Sequence, residues 1–365
     1  MFQKHVNKGN SSYKQIRSYN NLGLLKSLRS VEHAVIAGIY MKGWDRLLTR
    51  ITSRKWERAA EVIFLLSALI SVFSLAAITV YLFARGFPAI RKIGVINFMF
   101  GMQWNPAADN PSYGIFPMIY ASAAGTAGAV FLSVPAGLSS AVLLAAVAPS
   151  SLAKFIRPCI DLLSGIPSVV YGYFGLTVIV PLISEYLGGP GNSLLAVIIL
   201  LAVMILPTII KISENSLRAV PVEIIQGSYA LGATKIETVF KVMIPAAGPG
   251  ILLSIVLGIG RAVGETMAVI LVCGNAVQIP RSVLDMVRPM TANIALEMSY
   301  ADPFHERVLF GTGIVLFMFI SALNVVINVL SAHITGQKVS PHSKRVAKPA
   351  EIKNVQRNLP NNFLS

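Results

Sequence analysis

The stretch that decides the fold of this chain is residues 223–275, EIIQGSYALGATKIETVFKVMIPAAGPGILLSIVLGIGRAVGETMAVILVCGN. Its first part is polar and rich in helix-forming residues, and it ends at Ile244 and Pro245. Its second part is an apolar segment of membrane length that Arg261 and Glu265 interrupt near its middle. A structured polar loop that leads into a span with a central charged pair predicts a membrane protein that moves a solute.

The composition of the whole chain agrees with a membrane protein. Of its 365 residues, 54% are hydrophobic and only 13% are charged, and the mean hydropathy is +0.66. This balance is too apolar for a soluble domain of the same length. The formal charge of +15 lies outside the apolar segments and mainly near the two ends. Because basic loops stay on the cytoplasmic side of a membrane, this charge indicates cytoplasmic ends rather than nucleic-acid binding.

Six apolar segments are long enough to cross about 30 Å of hydrocarbon. The predicted spans are residues 62–83, 121–147, 160–183, 194–210, 248–274 and 308–334. An even number of spans puts both basic ends on the same side of the membrane, which satisfies the positive-inside rule. We therefore predict an all-α membrane protein with six transmembrane helices and both termini in the cytoplasm.

The predicted domains follow from these spans. Residues 1–57 form a basic cytoplasmic extension. Within and just after it, residues 43–61 have the pattern of an amphipathic helix that lies along the lipid headgroups or, with equal weight, of a solvated extension of the first span. Residues 58–336 form the transmembrane domain, which includes a cytoplasmic loop at residues 211–247. Residues 337–365 form a basic cytoplasmic tail.

The other connections between spans read as loops. Residues 84–113 and 275–307 are predicted to be external, and the second of them is compatible with a helix. In the first external loop, Trp104 suits an anchor at the membrane interface. Lys154 and Arg157 mark a short internal loop.

Two of the spans contain residues that bend or break helices. Residues 115–120 read as an interfacial lead-in to the second span, which Pro135 bends. In the third span, residues 164–175 read SGIPSVVYGYFG, where Pro167 removes a backbone donor and three glycines permit a break or a close helix approach. A broken helix in a membrane faces protein or a cavity. Helix packing alone explains the glycines equally well.

Arg261 and Glu265 are the residues best suited to chemistry. They stand four positions apart, so a continuous helix brings them to one face. An arginine at mid-membrane costs about 2.5–3.5 kcal/mol on insertion scales, which marks it as functional. Its guanidinium suits a tetrahedral oxyanion, with Glu265 holding the arginine until the anion arrives. The alternative is an ion pair that only packs two helices together.

Two neighbouring features predict contact with other helices or proteins. The fifth span carries small residues at steps of four, which form a contact face within the chain or with a partner. These are Gly250, Ser254, Gly258, Ala262 and Thr266. In the polar loop, residues 223–231 and 234–243 read as two short helices joined around Gly232 and Ala233. The small residues at this joint leave room for another protein, although an ordinary hairpin loop is the alternative.

Four motifs together resemble one family of transporters. Gly232, with VMIP (242–245) after it, resembles the "EAA" loop of ABC importer permeases. GRAVGETMAV (260–269), SGIPSVVYG (164–172) and QWNP (103–106) resemble, more narrowly, the PstC-type subunit of bacterial phosphate importers. The resemblance covers about residues 62–334, and it implies a MetI-like permease fold in the bacterial inner membrane.

The resemblance also implies roles for particular residues. Arg261 and Glu265 are implicated in the passage of phosphate, with Thr266 and Ser168 beside them. The loop is expected to dock on an ATPase, through residues that surround its glycine: Gln226, Gly227, Ser228, Ala230, Gly232, Ala233 and Thr234. This chain has Gln226 where the family usually has a glutamate, which weakens a charge contact with the ATPase to a hydrogen bond.

The partners implied by the resemblance are a second permease subunit (PstA-like), an ATPase dimer (PstB-like) and an external phosphate-binding protein (PstS-like), in contact with membrane lipids. We expect no cofactor on this chain, because it has no GK dipeptide of a phosphate-binding loop and neither HExxH nor GxSxG. ATP is then hydrolysed by a partner. Cys159 and Cys273 are too isolated for a metal site or a disulfide framework, and each is expected to be buried.

Two other functions agree with the same sequence. The nearer is a permease for another oxyanion, such as sulfate, molybdate or phosphonate, which composition does not separate from phosphate. The more distant is a membrane scaffold without transport, in which the small-residue face only assembles partners.

Overall fold

The computed structural model describes residues 54–335, and the chain there is almost entirely helical. The basic tail, most of the basic extension and the start of the predicted amphipathic helix lie outside the described residues. By its internal contacts the chain divides between Thr79 and Val80. The described residues before this point form one apolar helix segment, and those after it form a helical bundle.

The elements are numbered here in chain order. The helices are α1 (Arg54–Ile93), α2 (Val95–Phe100), α3 (Phe116–Val142), α4 (Ser150–Gly165), α5 (Ser168–Phe174), α6 (Val180–Leu187), α7 (Leu194–Arg218), α8 (Val222–Ala230), α9 (Lys235–Thr238), α10 (Ile244–Ala246), α11 (Gly248–Gly264), α12 (Met267–Val272), α13 (Met290–Glu297) and α14 (Pro303–Thr335). Three π-helical turns lie at Leu143–Val147, Gly175–Ile179 and Val239–Met243, and a two-stranded hairpin pairs β1 (Trp104–Asn105) with β2 (Ser112–Tyr113).

Among the described residues, five helical segments are long and apolar enough to cross a membrane. They are Ala59–Ile93, Phe116–Val147, Ser168–Leu187, Leu194–Arg218 and Pro303–Val326. A sixth span is reached when Gly248–Gly264 is counted together with Lys235–Ala246, from which it is bent by 68°. The predicted all-α fold with six spans is therefore confirmed.

Helix α7 forms the centre of the bundle, with α3 and α11 packed against it. Its side chains Leu200, Met204 and Ile205 are almost fully buried. On α11, Ser254 shares a buried hydrogen bond of 2.9 Å with Ser213 of α7. The stripe of small residues on α11 is therefore, as predicted, a contact face for another helix, and the contact lies within the chain.

The end of α1 packs closely on α14. Gly86 lies so near to Gly311 that a Cβ atom at position 86 would stand 2.7 Å from the backbone nitrogen of Gly311. Such a distance is shorter than van der Waals contact allows, so a glycine is required here. The ring of Tyr81 meets the ring of Phe310 edge-on, with centroids 5.6 Å apart.

The first external loop is shorter than predicted. Residues 84–113 were expected to be a loop, but α1 continues to Ile93 and is followed by α2 and the hairpin. Helix α1 tolerates Pro88 and ends at Gly94, whose φ of 91° no other residue type adopts without strain. Trp104 is not an interfacial anchor, because its indole N–H donates to the carboxylate of Glu297 inside the protein.

Two span boundaries on the amino-terminal side also differ from the prediction. Residues 115–120 are not a separate lead-in, because α3 begins at Phe116. The third span lies at residues 168–187 rather than 160–183, since the chain before Ile166 forms the amphipathic helix α4.

Helix α4 replaces what was predicted to be a short loop. Lys154 and Arg157 both lie on this helix. Ala153 and Ile160 are buried on its inner face, whereas Cys159 is exposed on the other, so the expectation that both cysteines are buried is wrong for Cys159. An amphipathic helix with only one packed face leaves such a side chain outside.

Two differences concern the polar loop and the fifth span. Helix α7 continues to Arg218, so Lys211 and Arg218 are helical rather than part of a loop. The predicted fifth span, residues 248–274, is not one continuous helix, because it breaks between α11 and α12. The helix that the second external loop was thought to accommodate is present as α13.

Candidate functional site

The break between α11 and α12 is organised by Glu265. The backbone of this residue is extended (φ −71°, ψ 127°). Its carboxylate oxygen Oε1 accepts hydrogen bonds from the backbone N–H groups of Thr266, at 3.2 Å, and Ala268, at 3.1 Å. Its carbonyl accepts from the hydroxyl of Thr291 at 3.0 Å. These bonds satisfy the backbone groups that a break within a membrane would otherwise leave without partners.

This break separates the predicted pair of Arg261 and Glu265. The two residues do not share a helical face, because α11 ends at Gly264 and the carboxylate of Glu265 turns to the start of α12. Among the residues whose side chains the structure describes (59–326 and 329), Arg261 forms neither an ion pair nor a hydrogen bond. The prediction that Glu265 holds Arg261 is therefore wrong for this conformation, and the guanidinium remains available.

A second break lies between α4 and α5, as the sequence allowed. Helix α4 ends at Gly165, and α5 starts after Pro167. The hydroxyl of Tyr171, on α5, donates to the carbonyl of Leu163 across this break at 2.7 Å.

Helices α5 and α12, each of which follows one of the two breaks, cross directly. A Cβ atom added to Gly172 would stand 2.7 Å from the Cα atom of Ala268, so α5 and α12 are in backbone contact. The motifs SGIPSVVYG and GRAVGETMAV, which are far apart in the sequence, therefore meet in the bundle. Ser168 is the first residue of α5, and no hydrogen bond among the described residues joins it to Arg261 or Thr266.

The face of α11 beside Arg261 is open within the described chain. No atom lies within 4 Å of the positions that a Cβ would take at Gly260 and Gly264. Leu253 and Leu257, which precede them on the same face, are about half exposed. An apolar face with small residues beside a partly buried arginine suits the approach of another helix.

The polar loop has the structure that the sequence predicts. Helix α8 ends in a turn at Gly232, whose φ of 86° favours glycine. Thr234 then starts α9 with a reciprocal cap, in which its hydroxyl accepts from the Glu237 N–H and the Glu237 carboxylate accepts from the Thr234 N–H. A buried hydrogen bond of 2.9 Å between Ser228 and Thr238 holds the two helices together.

The docking residues implied by the resemblance divide into two groups. Gln226, Gly227, Ala230, Gly232 and Thr234 are exposed, and Ala233 is partly exposed. Ser228 is buried and braces the loop from within. Beside the exposed group lies a groove of about 570 Å³ bordered by Gly227, Leu231 and Lys241. Leu231 is 92% exposed.

Comparison with known proteins assigns the family. Residues 133–337 match the family described as "Binding-protein-dependent transport system inner membrane component". The chain belongs to this family. It is therefore a multi-pass membrane permease subunit of an ABC transport system and is not itself an enzyme.

Several relatives of this permease subunit are known. It is 38% identical over 294 residues to a probable ABC transporter permease protein of Bacillus subtilis, a match that covers 79% of this chain and 95% of the relative. It is 32% identical over 273 residues to the phosphate transport system permease protein PstC of Haemophilus influenzae, covering 69% of this chain and 86% of the relative. The crystal structure of a bacterial alginate ABC transporter contains a chain with the same fold (TM-score 0.55, 14% identity, 78% of this chain and 99% of that chain).

The permease also contains two ionic clusters that the sequence did not reveal. In the first, called here the Glu297 cluster, the Glu297 carboxylate accepts from Arg288 at 2.7 Å and from Trp104 at 2.9 Å, and Nε2 of His305 lies 2.9 Å from it without hydrogen-bond geometry. It joins the hairpin, α13 and α14 through a carboxylate side chain that is 6% exposed. The Trp104 indole in the QWNP motif was the available signal, because a buried indole N–H needs an acceptor.

The second cluster, called here the Glu214 cluster, lies where α4 packs on α7. Glu214 Oε1 accepts from Arg157 at 2.8 Å and from Arg218 at 2.9 Å. Lys211 pairs with Asp161 at 2.8 Å and donates to the hydroxyl of Ser164. The basic residues were visible in the sequence, but they were assigned to loops, so their pairing across two helices was not predicted.

Proposed function

We propose that this chain is the permease subunit of an ATP-driven phosphate importer and forms half of its translocation path. The main support is the state of Arg261, a cation on a membrane helix with no partner among the described residues. Placing an arginine in a membrane costs about 2.5–3.5 kcal/mol on insertion scales, so a guanidinium left without a protein partner needs another anion. The relatives named PstC favour phosphate as this anion.

The geometry around Arg261 suits an oxyanion that passes rather than one that stays. The guanidinium offers a planar fork of donors, which matches two oxygens of a tetrahedral anion. In the proposed path, Ser168 and Thr266 add hydroxyl donors from the two crossing broken spans. Glu265 shapes the path by fixing the break, and its second carboxylate oxygen stays available to receive Arg261 in another conformation.

The open surfaces of the chain support places for the proposed partners. A second permease subunit would cover the open face of α11 and close the path around Arg261. An ATPase dimer would bind the loop around Gly232, and an external phosphate-binding protein would deliver the substrate. In this assembly ATP is hydrolysed by the ATPase, and this chain binds no cofactor. It lies in the bacterial inner membrane with both termini in the cytoplasm.

The polar loop is connected mechanically to the helix that carries Arg261. Val239 and Met243, in the loop, pack in one buried cluster with Leu217 of α7 and Ile251 of α11. Because packed cores transmit displacement rather than absorb it, movement of the loop by the ATPase would rock α11. Alternating access to Arg261 would follow from this motion.

Phosphate uptake tests the proposal most directly. In cells that depend on this permease, Arg261→Gln should lower uptake by about tenfold or more, the effect of losing a hydrogen bond to a charged ligand. Arg281→Gln is the matched control, because this exposed side chain forms no bond within the described residues. Uptake at the wild-type level in Arg261→Gln, with equal protein in the membrane, would contradict the proposal. Excess sulfate, molybdate or phosphonate should not compete with phosphate, whereas a permease for one of these anions would show such competition.

Docking of the ATPase is tested separately. Gly232→Trp should prevent co-purification of the ATPase with the permease, because the turn at Gly232 is exposed and requires a positive φ. Gly227→Ala, in the helical part of α8, serves as the milder variant and should retain the ATPase. If neither the unchanged protein nor Gly227→Ala retains an ATPase, the non-transporting scaffold becomes the better description.

A further inference from the structure

We infer that the Glu214 cluster contains a second binding site for a tetrahedral oxyanion, at the end of the bundle that leads into the polar loop. The site is a cavity of about 240 Å³ between α4 and α7. Its lining includes Arg157, Lys211 and Asn215, which are donors, together with Asp161 and Glu214. This inference rests on the proposed function, because it adds a second binding site to the same anion path.

The Glu214 cluster as a whole carries one more cation than it has carboxylates. The cavity itself is lined by the cations Arg157 and Lys211 and the carboxylates Asp161 and Glu214, and Arg218 reaches Glu214 from outside this lining. Glu214 is shared by both arginines through one oxygen atom, so each arginine is only partly neutralised. An oxyanion in the cavity would supply the missing negative charge.

Lys211 is the residue that an incoming anion would recruit. Its side chain is 33% exposed, whereas that of its partner Asp161 is 66% exposed. An ion pair with such an exposed carboxylate is weak, because water and salt screen it. A phosphate-like anion can therefore replace Asp161 as the partner of Lys211 without breaking a strong interaction. The Arg157 side chain uses Nε and Nη2 within the protein, which leaves Nη1 to face the same anion.

A short series of contacts connects this cavity with the start of α5. Tyr171 of α5 donates to the carbonyl of Leu163. The next residue, Ser164, accepts a hydrogen bond from Lys211. The end of α4 thus contacts both Tyr171 and Lys211, and α4 is bounded by the π-helical turn on one side and by the Pro167 break on the other. An anion that leaves Arg261 would find its next cationic partner at Lys211.

Two sources supply an oxyanion of this chemistry: free phosphate and the phosphate of an anionic lipid headgroup. The experiment uses the intact transporter, with its ATPase and second permease, in nanodiscs and without the external binding protein. Binding of labelled inorganic phosphate is measured in an Arg261→Gln background, so that the proposed path site does not contribute. The nanodiscs contain either phosphatidylcholine alone or phosphatidylcholine with phosphatidylglycerol.

The site predicts opposite effects for the two members of the exposed pair. Lys211→Gln should weaken phosphate binding about tenfold or more, and Asp161→Asn should strengthen it, because it frees Lys211. Lys154→Gln, on the same helix but outside the cavity, should bind as the background does. Equal binding in both types of nanodisc assigns the site to free phosphate. If phosphate binds only in the phosphatidylcholine nanodiscs, and if retention of phosphatidylglycerol depends on Lys211, the site is assigned to a lipid headgroup.

A purely structural pair would behave differently. In that case Lys211→Gln and Asp161→Asn would change binding in the same direction, and the exchanged variant Asp161→Lys with Lys211→Asp would restore it. That result, or no Lys211-dependent oxyanion binding in any nanodisc, would overturn the inference. The proposed function is judged by cellular uptake and Arg261, so its failure would be seen in a different measurement.

Discussion

Two arginines in this chain occupy opposite situations. Arg288, in the Glu297 cluster, donates to the carbonyl of Asn275 at 2.7 Å and to the carboxylate of Glu297 at 2.7 Å. Its side chain is 20% exposed. Arg261, at the broken fifth span, has no such partner among the side chains that the structure describes. One guanidinium is bound by the protein through Nε and Nη1, and the other is left open.

The difference shows how the same side chain serves structure in one place and transport in another. A largely buried cation contributes to a stable fold only when it is paired and hydrogen-bonded, and Arg288 has both a carboxylate and a carbonyl as partners. Arg261 does not, so its retention in a membrane helix has to be explained by a ligand that comes and goes. Loss of Arg288 should therefore be seen as instability, and loss of Arg261 as inactivity.

The largest effect expected from this comparison is on stability, through the partner of Arg288. Glu297→Gln leaves the Arg288 charge without a counter-charge in a buried site, which costs about 3–5 kcal/mol. Denaturation of the purified permease in detergent measures the loss. Glu306→Gln is the matched control, since its carboxylate forms no bond among the described residues, and it should change stability by less than about 0.5 kcal/mol. Equal stability of Glu297→Gln and Glu306→Gln would remove the distinction between the two arginines.

A smaller effect separates the arginines by replacing each with lysine. Arg288→Lys should destabilise the permease by about 1.5–3 kcal/mol, because one ammonium cannot reach both the Asn275 carbonyl and the Glu297 carboxylate. Arg261→Lys should leave stability within about 0.5 kcal/mol of the wild type, since the fold does not use its donors. It should also retain more phosphate uptake than Arg261→Gln, because a positive charge remains in the path. If Arg261→Lys destabilises as much as Arg288→Lys, then Arg261 has a structural role.

The sequence predicts well the features that local residue patterns determine. The apolar lengths predict the number of spans, Pro167 and its neighbouring glycines permit the break before α5, and Gly232 with Ala233 predicts the joint between α8 and α9. In each case the cause lies within a few residues of the effect. The same holds for the small residues of α11, whose spacing alone predicts a close helix contact.

The features that were missed depend on residues far apart in the chain. GRAVGETM contains no proline and reads as one continuous helix, but Thr291 and the turned carboxylate of Glu265 stabilise a break in it. The partners of Glu297 come from the hairpin, the loop before α13 and the start of α14. Such pairings follow from the packing of the bundle, which no local pattern records. The sequence shows which residue types each region contains, but it does not show which side chains pair with each other.

The smallest predicted effect concerns the helix cap that holds one member of the Glu297 cluster in place. Asp302 accepts hydrogen bonds from the backbone N–H groups of Phe304, at 2.8 Å, and His305, at 2.9 Å. These bonds, that of His305 first, lower the pKa of the Asp302 carboxyl below its ordinary value of 3.8. The ionised cap therefore stabilises the folded state fully above that value, and this contribution is lost as the pH falls through the lowered pKa.

Asp302→Asn isolates this contribution, because the amide oxygen still caps the helix but does not titrate. Between about pH 5 and pH 3, the melting temperature of the wild type should fall more steeply than that of Asp302→Asn. Other carboxyl groups titrate in both proteins, so only the difference between the two curves reports on the cap. Parallel curves would show that His305 is held in the Glu297 cluster by packing alone. In that event the binding of Arg288 by Glu297 would not depend on the cap at the start of α14. The contrast between Arg288 and Arg261 would then come from Glu297 alone.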